Sequence, residues 1–124
     1  MKILAITQAR YGSSRLPGKI LKEIKGQSLL EIHLNRIKKS KLITKLKVAT
    51  TKEPDAVKIE EVCKKLNVGV YKGSLEDVLE RFYFTAKPED PDWIVRLTSD
   101  CPLIDAEVID KAISLCLESN VDYL

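Results

Sequence analysis

QARYGSSRLPGK, residues 8–19, follows directly on the apolar run Ile3-Leu4-Ala5-Ile6 and leads into a stretch with helical spacing. Three cations, Arg10, Arg15 and Lys19, stand beside two glycines, Gly12 and Gly18, two serines and a proline; no acidic residue occurs before Glu23. A short apolar run that ends in turn chemistry reads as a buried strand, here over residues 2–7. Glycines let backbone N–H groups turn toward an anion, and fixed cations neutralise it. A loop of this composition at the end of a first strand therefore reads as a phosphate site.

Outward from the loop, the chain alternates. Residues 20–26 hold a short extended piece closed by Lys25-Gly26, and Ser28 opens a helix in which Ser28 and Glu31 have capping-box spacing. Leu30, His33, Leu34 and Ile37 share one face of that helix, which runs to about Lys39. LKVATT, residues 46–51, reads as a second strand rich in β-formers. Ile59, Val62, Cys63 and Leu66 repeat at i, i+3, i+4, i+7 and predict a second helix over about Asp55 to Leu66. Val68 to Tyr71 is a third strand. Ser74 and Asp77 repeat the capping-box spacing, and Leu75, Val78, Leu79 and Phe82 form the next helical stripe. Trp93 to Thr98 is a fourth strand, ended by Ser99-Asp100-Cys101-Pro102, and Asp105 caps a fourth helix with Ile109, Ala112, Ile113 and Cys116 on one side. Val121 to Leu124 would begin a fifth strand.

Strands that alternate with helices imply a mostly parallel sheet covered on both faces. Right-handed crossovers favour the strand order 3-2-1-4. That order makes strands 1 and 4 neighbours with connections leaving in opposite directions, and ligands bind in the crevice beyond their carboxyl ends. The cationic loop leaves strand 1 and Asp100 leaves strand 4, so a phosphate-binding loop faces a carboxylate. Such a pair suits a nucleotide phosphate chain with Mg²⁺, which takes one or two carboxylates plus phosphate oxygens.

Length and composition set the frame. The 124 residues make one domain with a single core, and 44% apolar with 31% charged residues is ordinary globular composition. A net charge of +3 is too small to argue for nucleic acid, and lysines 38, 39, 41, 45 and 47 have no interleaved aromatic residue, so they read as a solvated face. No apolar stretch is long enough to insert in a membrane, and the first apolar run is too short for a signal peptide. The three cysteines are widely spaced, without CxxC, which argues against a disulfide framework or a zinc site and for the cytoplasm.

Two familiar phosphate loops are excluded. Five residues, not four, separate Gly12 from Gly18, and Lys19 is followed by Ile20 rather than Ser or Thr, so this is not a Walker A loop. Nor is it GxGxxG, because the two glycines are too far apart and no third follows.

QARYGSSRLPGK, SLLEIHLNRI, VATT, GSLEDVLERF and IVRLTSDCPLID, in this order, resemble the sugar nucleotidyltransferases of the cytidylyltransferase type. The pattern is similar to the spore-coat polysaccharide biosynthesis protein F family, and more distantly to 3-deoxy-manno-octulosonate and acylneuraminate cytidylyltransferases. The resemblance implies a Rossmann-like, glycosyltransferase-A-like, three-layer α/β/α nucleotidyltransferase fold. It implies transfer of a nucleoside monophosphate from CTP to a sugar with release of pyrophosphate, in surface polysaccharide synthesis. By position it puts Gln8 and Ala9 at the base and ribose, and Arg10, Gly12, Ser13, Arg15 and Lys19 along the triphosphate. Thr50, Thr51 and Thr98 fall near the base or acceptor. Arg10, Lys19 and Asp100 would be the catalytic groups, with Asp100 as the Mg²⁺ ligand. Gln8-Ala9-Arg10 departs from the PAR of the octulosonate enzymes, and Ser99-Asp100-Cys101-Pro102 from their GDEP, which bears on base and acceptor choice. Members of the family continue for roughly another domain-half that supplies acceptor contacts, a second metal carboxylate and the surface of a homodimer. The expectation is thus a single domain, 1–124, truncated at its carboxyl end, that binds nucleotide and turns over poorly alone.

Other readings stay open at this stage. A glycosyltransferase using a ready-made nucleotide sugar would want an acidic pair after the fourth strand, where only Asp100 stands; a non-catalytic nucleotide-binding module needing a partner chain is the third. Arg96 either faces the crevice or is a structural cation paired with an acid such as Asp77 or Asp100, with the structural role preferred. Asp77 and Arg81, four apart, read as a local helix ion pair, while the resemblance sets Ser74, Asp77 and Arg81 toward the pocket rim. Thr50 and Thr51 read equally as strand-end β-formers. His33 reads as a core-edge residue, and Cys101, with no histidine motif, as a packing or site-lining residue.

Overall fold

The computed structural model describes residues 1–12, 18–98 and 104–119. Ser13, Arg15, Asp100, Cys101 and the expected strand at Val121 to Leu124 lie outside the described residues.

Four parallel strands form the sheet: β1 (Ile3–Gln8), β4 (Lys45–Thr51), β5 (Gly69–Gly73) and β6 (Trp93–Thr98), in the order β5-β4-β1-β6. Counting these strands along the chain, this is the 3-2-1-4 order expected. α1 (Leu29–Ile37), α2 (Ala56–Lys65) and α4 (Ala106–Ser119) cover one face, and α3 (Val78–Ala86) the other, so the chain is a three-layer α/β/α fold.

Strand alternation divides the core. Leu30 and Leu34 of α1 pack with Val48 and with Ile59 and Cys63 of α2. Ile3 and Ala5 meet Ile37, Ile109 and Ile113. On the other face Leu4, Ile6 and Ala49 meet Phe82 and Ala86 of α3. β1 is buried on both faces because it is central; β6, the edge strand among the described residues, alternates between half-buried and exposed. His33 is fully buried and its Nε2 lies 2.9 Å from the Thr7 hydroxyl, which makes it a core residue rather than one at the core edge. Burial pushes the Cys63 thiol up to about 12, so it is an inert core residue.

Several local expectations are corrected. The piece after the loop is not simply extended: a 3₁₀ turn (Lys19–Leu21) leads into a two-stranded hairpin, β2 (Glu23–Ile24) with β3 (Gln27–Ser28). Lys25 and Gly26, at φ 53° and 85°, make its tight turn. The third strand begins and ends later than expected, at Gly69–Gly73.

α3 begins at Val78, and its N-cap is Asp77, whose Oδ1 accepts from Glu80 N at 2.9 Å; the Ser74 hydroxyl caps the preceding turn by accepting from Asp77 N at 3.0 Å. Asp77 is therefore spent on the helix start, and the Asp77–Arg81 ion pair is absent among the described residues. Arg81 turns inward instead, donating from Nε to Ser74 O at 2.9 Å and from Nη2 to Leu75 O at 3.0 Å. Leu79, assigned to the buried stripe, is 81% exposed for the same reason: α3 is rotated to bring Arg81 and Phe82 onto the sheet.

Lys47 is likewise no solvated lysine. It is buried, with Nζ donating to Thr85 O at 2.9 Å and facing Glu89 at 3.6 Å. Arg96 lies with its guanidinium 4.6 Å from the Phe82 ring centre, a structural cation held by an aromatic face rather than by an acid among the described residues.

Candidate functional site

The carboxyl edge of the sheet gathers the candidate residues. Gln8 is in register with Ala49 on one side and Thr98 on the other. One more ladder bond, Ala9 N to Ala49 O at 3.0 Å, carries the strand to Ala9, whose side chain is buried. Side chains alternate, so Arg10 emerges on the α3 side of the sheet.

The loop that follows is closed at its neck. Gly18 N donates to Tyr11 O at 2.7 Å, so the chain returns to its starting point before the 3₁₀ turn. Gly18 has φ 73°, and a Cβ there would meet two ring carbons and the hydroxyl oxygen of Tyr11 at 3.0–3.1 Å. Only glycine meets both demands. Lys58 of α2 places its ammonium 4.6 Å from the Tyr11 ring centre, on a tyrosine that also packs against the α1–α2 core. Lys19 stands exposed at the start of the 3₁₀ turn and makes no ion pair among the described residues.

Arg10 is held by Glu53. Nε donates to Oε1 at 2.9 Å and Nη2 to Oε2 at 3.5 Å, a forked pair that fixes the guanidinium plane. Thr51 donates its hydroxyl to the same carboxylate at 2.9 Å. The Arg10 guanidinium and the Thr51 hydroxyl hold the Glu53 carboxyl below the usual carboxylate range, and the carboxylate in turn raises the Arg10 pKa. With side-chain exposures of 41% and 33%, solvent screens this pair, so its effect is orientation rather than stability. Gly12 sits against it, with a Cβ position 3.6 Å from Glu53 Oε2 and 3.8 Å from Arg10 Nη2.

Arg81 completes the cluster. It is 1% exposed, and its Nη1 has no hydrogen-bond partner among the described residues. Burial lowers its pKa, with Arg10 acting in the same direction and Glu53 against it. α3 approaches closely enough because Gly73, in register with Thr51, has no side chain: a Cβ there would meet Arg81 Cγ at 2.9 Å and Cα at 3.3 Å.

The structure thus brings Gln8, Ala9, Arg10, Gly12, Lys19, Thr50, Thr51 and Thr98 to one edge, but not to one face. Thr51 and Thr98 share the α3 side with Arg10; Thr50 points to the α1–α2 side, buried, with its hydroxyl unpartnered among the described residues. Thr51 is committed to Glu53. Two further residues belong here: Glu53, which the sequence reading passed over, and Arg81, which the resemblance set only at the pocket rim. Glu53 follows the second strand by two positions, and in a 2-1 strand neighbourhood the loops after both strands must touch, which is the signal that could have found it. For Arg81 the family resemblance pointed toward the pocket rim, but its burial carried no local signal, since that depends on the Ser74–Leu75 turn. No cluster of three or more His, Cys, Asp or Glu side chains suited to a metal occurs among the described residues. Glu53 faces the loop but is spent on Arg10 and Thr51.

A doubly covered parallel sheet in this order, with a closed cationic loop after its first strand, defines an α/β nucleotidyltransferase-type fold. The chain belongs to the cytidylyltransferase family, which it matches over residues 4–124. It is 46% identical over 124 residues to an uncharacterised protein of Methanocaldococcus jannaschii, covering all of this chain and 51% of that protein. It is 40% identical over 126 residues to the spore coat polysaccharide biosynthesis protein SpsF of Bacillus subtilis, covering 98% of this chain and 52% of that one. Among solved structures, a cytidylyltransferase of Leptospira borgpetersenii superposes with a TM-score of 0.90 at 43% identity, over 95% of this chain and 50% of that chain. The chain spans about half the length of the curated relatives it matches.

Proposed function

We propose that the chain is the nucleotide-binding portion of a CTP-using sugar nucleotidyltransferase acting in the cytoplasm on the route to a surface polysaccharide. The observation that carries this reading is the Gly18 N to Tyr11 O bond at the edge where, among the described residues, Arg10, Arg81 and Lys19 stand with Glu53. Family membership and likeness to SpsF support the nucleotide and the pathway class.

In this reading Gln8 and Ala9 meet the base and ribose, while Arg10, Arg15 and Lys19, with Gly12 and Ser13, receive the triphosphate. An acceptor hydroxyl oxygen of the sugar attacks the α-phosphorus. The bond to the bridging oxygen breaks, pyrophosphate leaves with the electron pair, and the acceptor proton passes to solvent. Charge spreads over phosphate oxygens in the transition state, so oriented cations stabilise it without a covalent protein intermediate. Arg10 offers a forked donor pair and Lys19 a point charge. Asp100 is the proposed Mg²⁺ ligand; bound there, Mg²⁺ would supply further neutralisation of phosphate charge. Thr98 is placed on the acceptor side, and the acceptor site and homodimer contacts are assigned to the part of the family fold beyond this chain.

The test is thermal stabilisation by nucleotides with and without Mg²⁺. CTP raises Tm more than ATP or GTP, and Lys19→Ala and Asp100→Ala abolish the rise. Unchanged stabilisation in both variants, or equal response to all nucleotides, contradicts the reading.

A further inference from the structure

The Arg10–Glu53–Arg81 cluster has an imbalance that the phosphate reading leaves unexplained. One half-buried carboxylate serves Arg10 and Thr51, while a second guanidinium, fully buried, keeps an N–H with no acceptor among the described residues. A buried donor without an acceptor is costly, more so when it is charged. Two of the three Arg81 nitrogens are anchored on the carbonyls of Ser74 and Leu75, so the guanidinium cannot turn away to solvent. It packs over Gly73, the in-register neighbour of Thr51, whose hydroxyl holds Glu53. The unfilled donor and the carboxylate therefore belong to adjacent strand ends on the same face of the sheet.

We propose that Glu53 and Arg81 are positioning residues that hand Arg10 over to a polyphosphate: Glu53 orients Arg10 in the empty site and passes to the unfilled Nη1 of Arg81 when phosphate oxygens take Arg10. The exchange is inexpensive on the first side, because the half-exposed Arg10–Glu53 pair is weak and a multiply charged anion outcompetes it. It is favourable on the second, because the buried Arg81 donor gains the acceptor it lacks. Binding of the anion thus recovers a cost stored in the empty site. Arg81 acts through Glu53 and Arg10 and touches no substrate. This inference rests on the nucleotide reading above.

Calorimetric titration of CTP, and separately of inorganic pyrophosphate, into wild type, Glu53→Gln, Arg81→Met and the double variant tests it. Arg81→Met weakens pyrophosphate binding about tenfold in the wild-type background and less than twofold in the Glu53→Gln background, because the gain it removes exists only through Glu53. Equal losses in both backgrounds overturn the hand-over and leave the phosphate reading standing. A wild type that binds neither probe overturns both. Because Arg81 is buried, its loss endangers folding, so a second measurement needs no change at that residue. The Arg81 Nε–H resonance, followed by nitrogen-15 NMR, moves on pyrophosphate addition in the wild type and stays in Glu53→Gln; the same movement in both overturns the proposal.

Discussion

Replacing Gly18 by alanine puts two separate loads on the neck of the loop. The first is conformational. Gly18 sits at φ 73°, where an L-residue with a Cβ costs about 1–2 kcal/mol. The second is steric. The new methyl would stand 3.0, 3.1 and 3.1 Å from Cε2, Cζ and the hydroxyl oxygen of Tyr11, all closer than ordinary contact. A ring can often turn aside, but this one is backed by the α1–α2 core and covered by the Lys58 ammonium at 4.6 Å, so moving it gives up packing and about 0.5–1 kcal/mol of cation–π attraction. Overpacking of this kind costs about 1–3 kcal/mol. Together the loads predict a loss of about 2–5 kcal/mol, read as a Tm about 10–20 °C lower or as the equivalent shift in urea midpoint. Gly12→Ala is the internal control: among the described residues its nearest neighbours would lie at 3.6 Å or beyond, and its φ is not positive, so its stability stays within about 0.5 kcal/mol. Adding Tyr11→Leu to Gly18→Ala removes the steric part and leaves the conformational part. A Gly18→Ala protein as stable as the wild type would refute the closed neck.

Asp77→Ala removes the N-cap of α3 and lowers stability by about 1 kcal/mol in urea titration, equally at low and high salt; a loss that vanishes in high salt would restore the Asp77–Arg81 ion pair instead. Carbon-13 NMR finds the Glu53 carboxyl titrating below the usual carboxylate range, and its midpoint rises toward the ordinary value in Arg10→Met. Because the folded pKa is the depressed one, the pair's contribution is present above the unfolded value of about 4.3 and is lost as pH falls through the folded pKa. An unchanged midpoint in Arg10→Met would show that Arg10 is not the cause.

The layered fold was legible because its signals are local and repeated. β1 and β4 announce themselves as apolar runs, α2 as a clean i, i+3, i+4, i+7 stripe, and the handedness of crossovers turns their sequence into the 3-2-1-4 order. The cations and glycines of residues 8–19 were legible from composition, and their role at a phosphate is the reading proposed above. What stayed hidden was polar burial. Lys47 and Arg81 look like surface residues in any periodic reading, yet each goes inside to meet particular backbone carbonyls, Thr85 O for the one and Ser74 O and Leu75 O for the other. Those carbonyls exist as acceptors only once α3 and the turn before it have formed, so no window of sequence displays them. Leu79 was misassigned by the same mechanism, since inward rotation of Arg81 turns that leucine out. Glu53 is intermediate: no motif marks it, but its adjacency to Arg10 follows from strand order once the loops after neighbouring strands are compared.

The central claim is that the loop after β1 receives a nucleoside triphosphate. Calorimetric titration of CTP into the wild type, Arg10→Ala and Lys19→Ala tests it most directly. The account predicts saturable binding at one site in the wild type and at least about tenfold weaker binding in each variant, as expected when a charge-assisted phosphate contact is lost. Equal affinity in all three proteins, or no binding in the wild type, would contradict it.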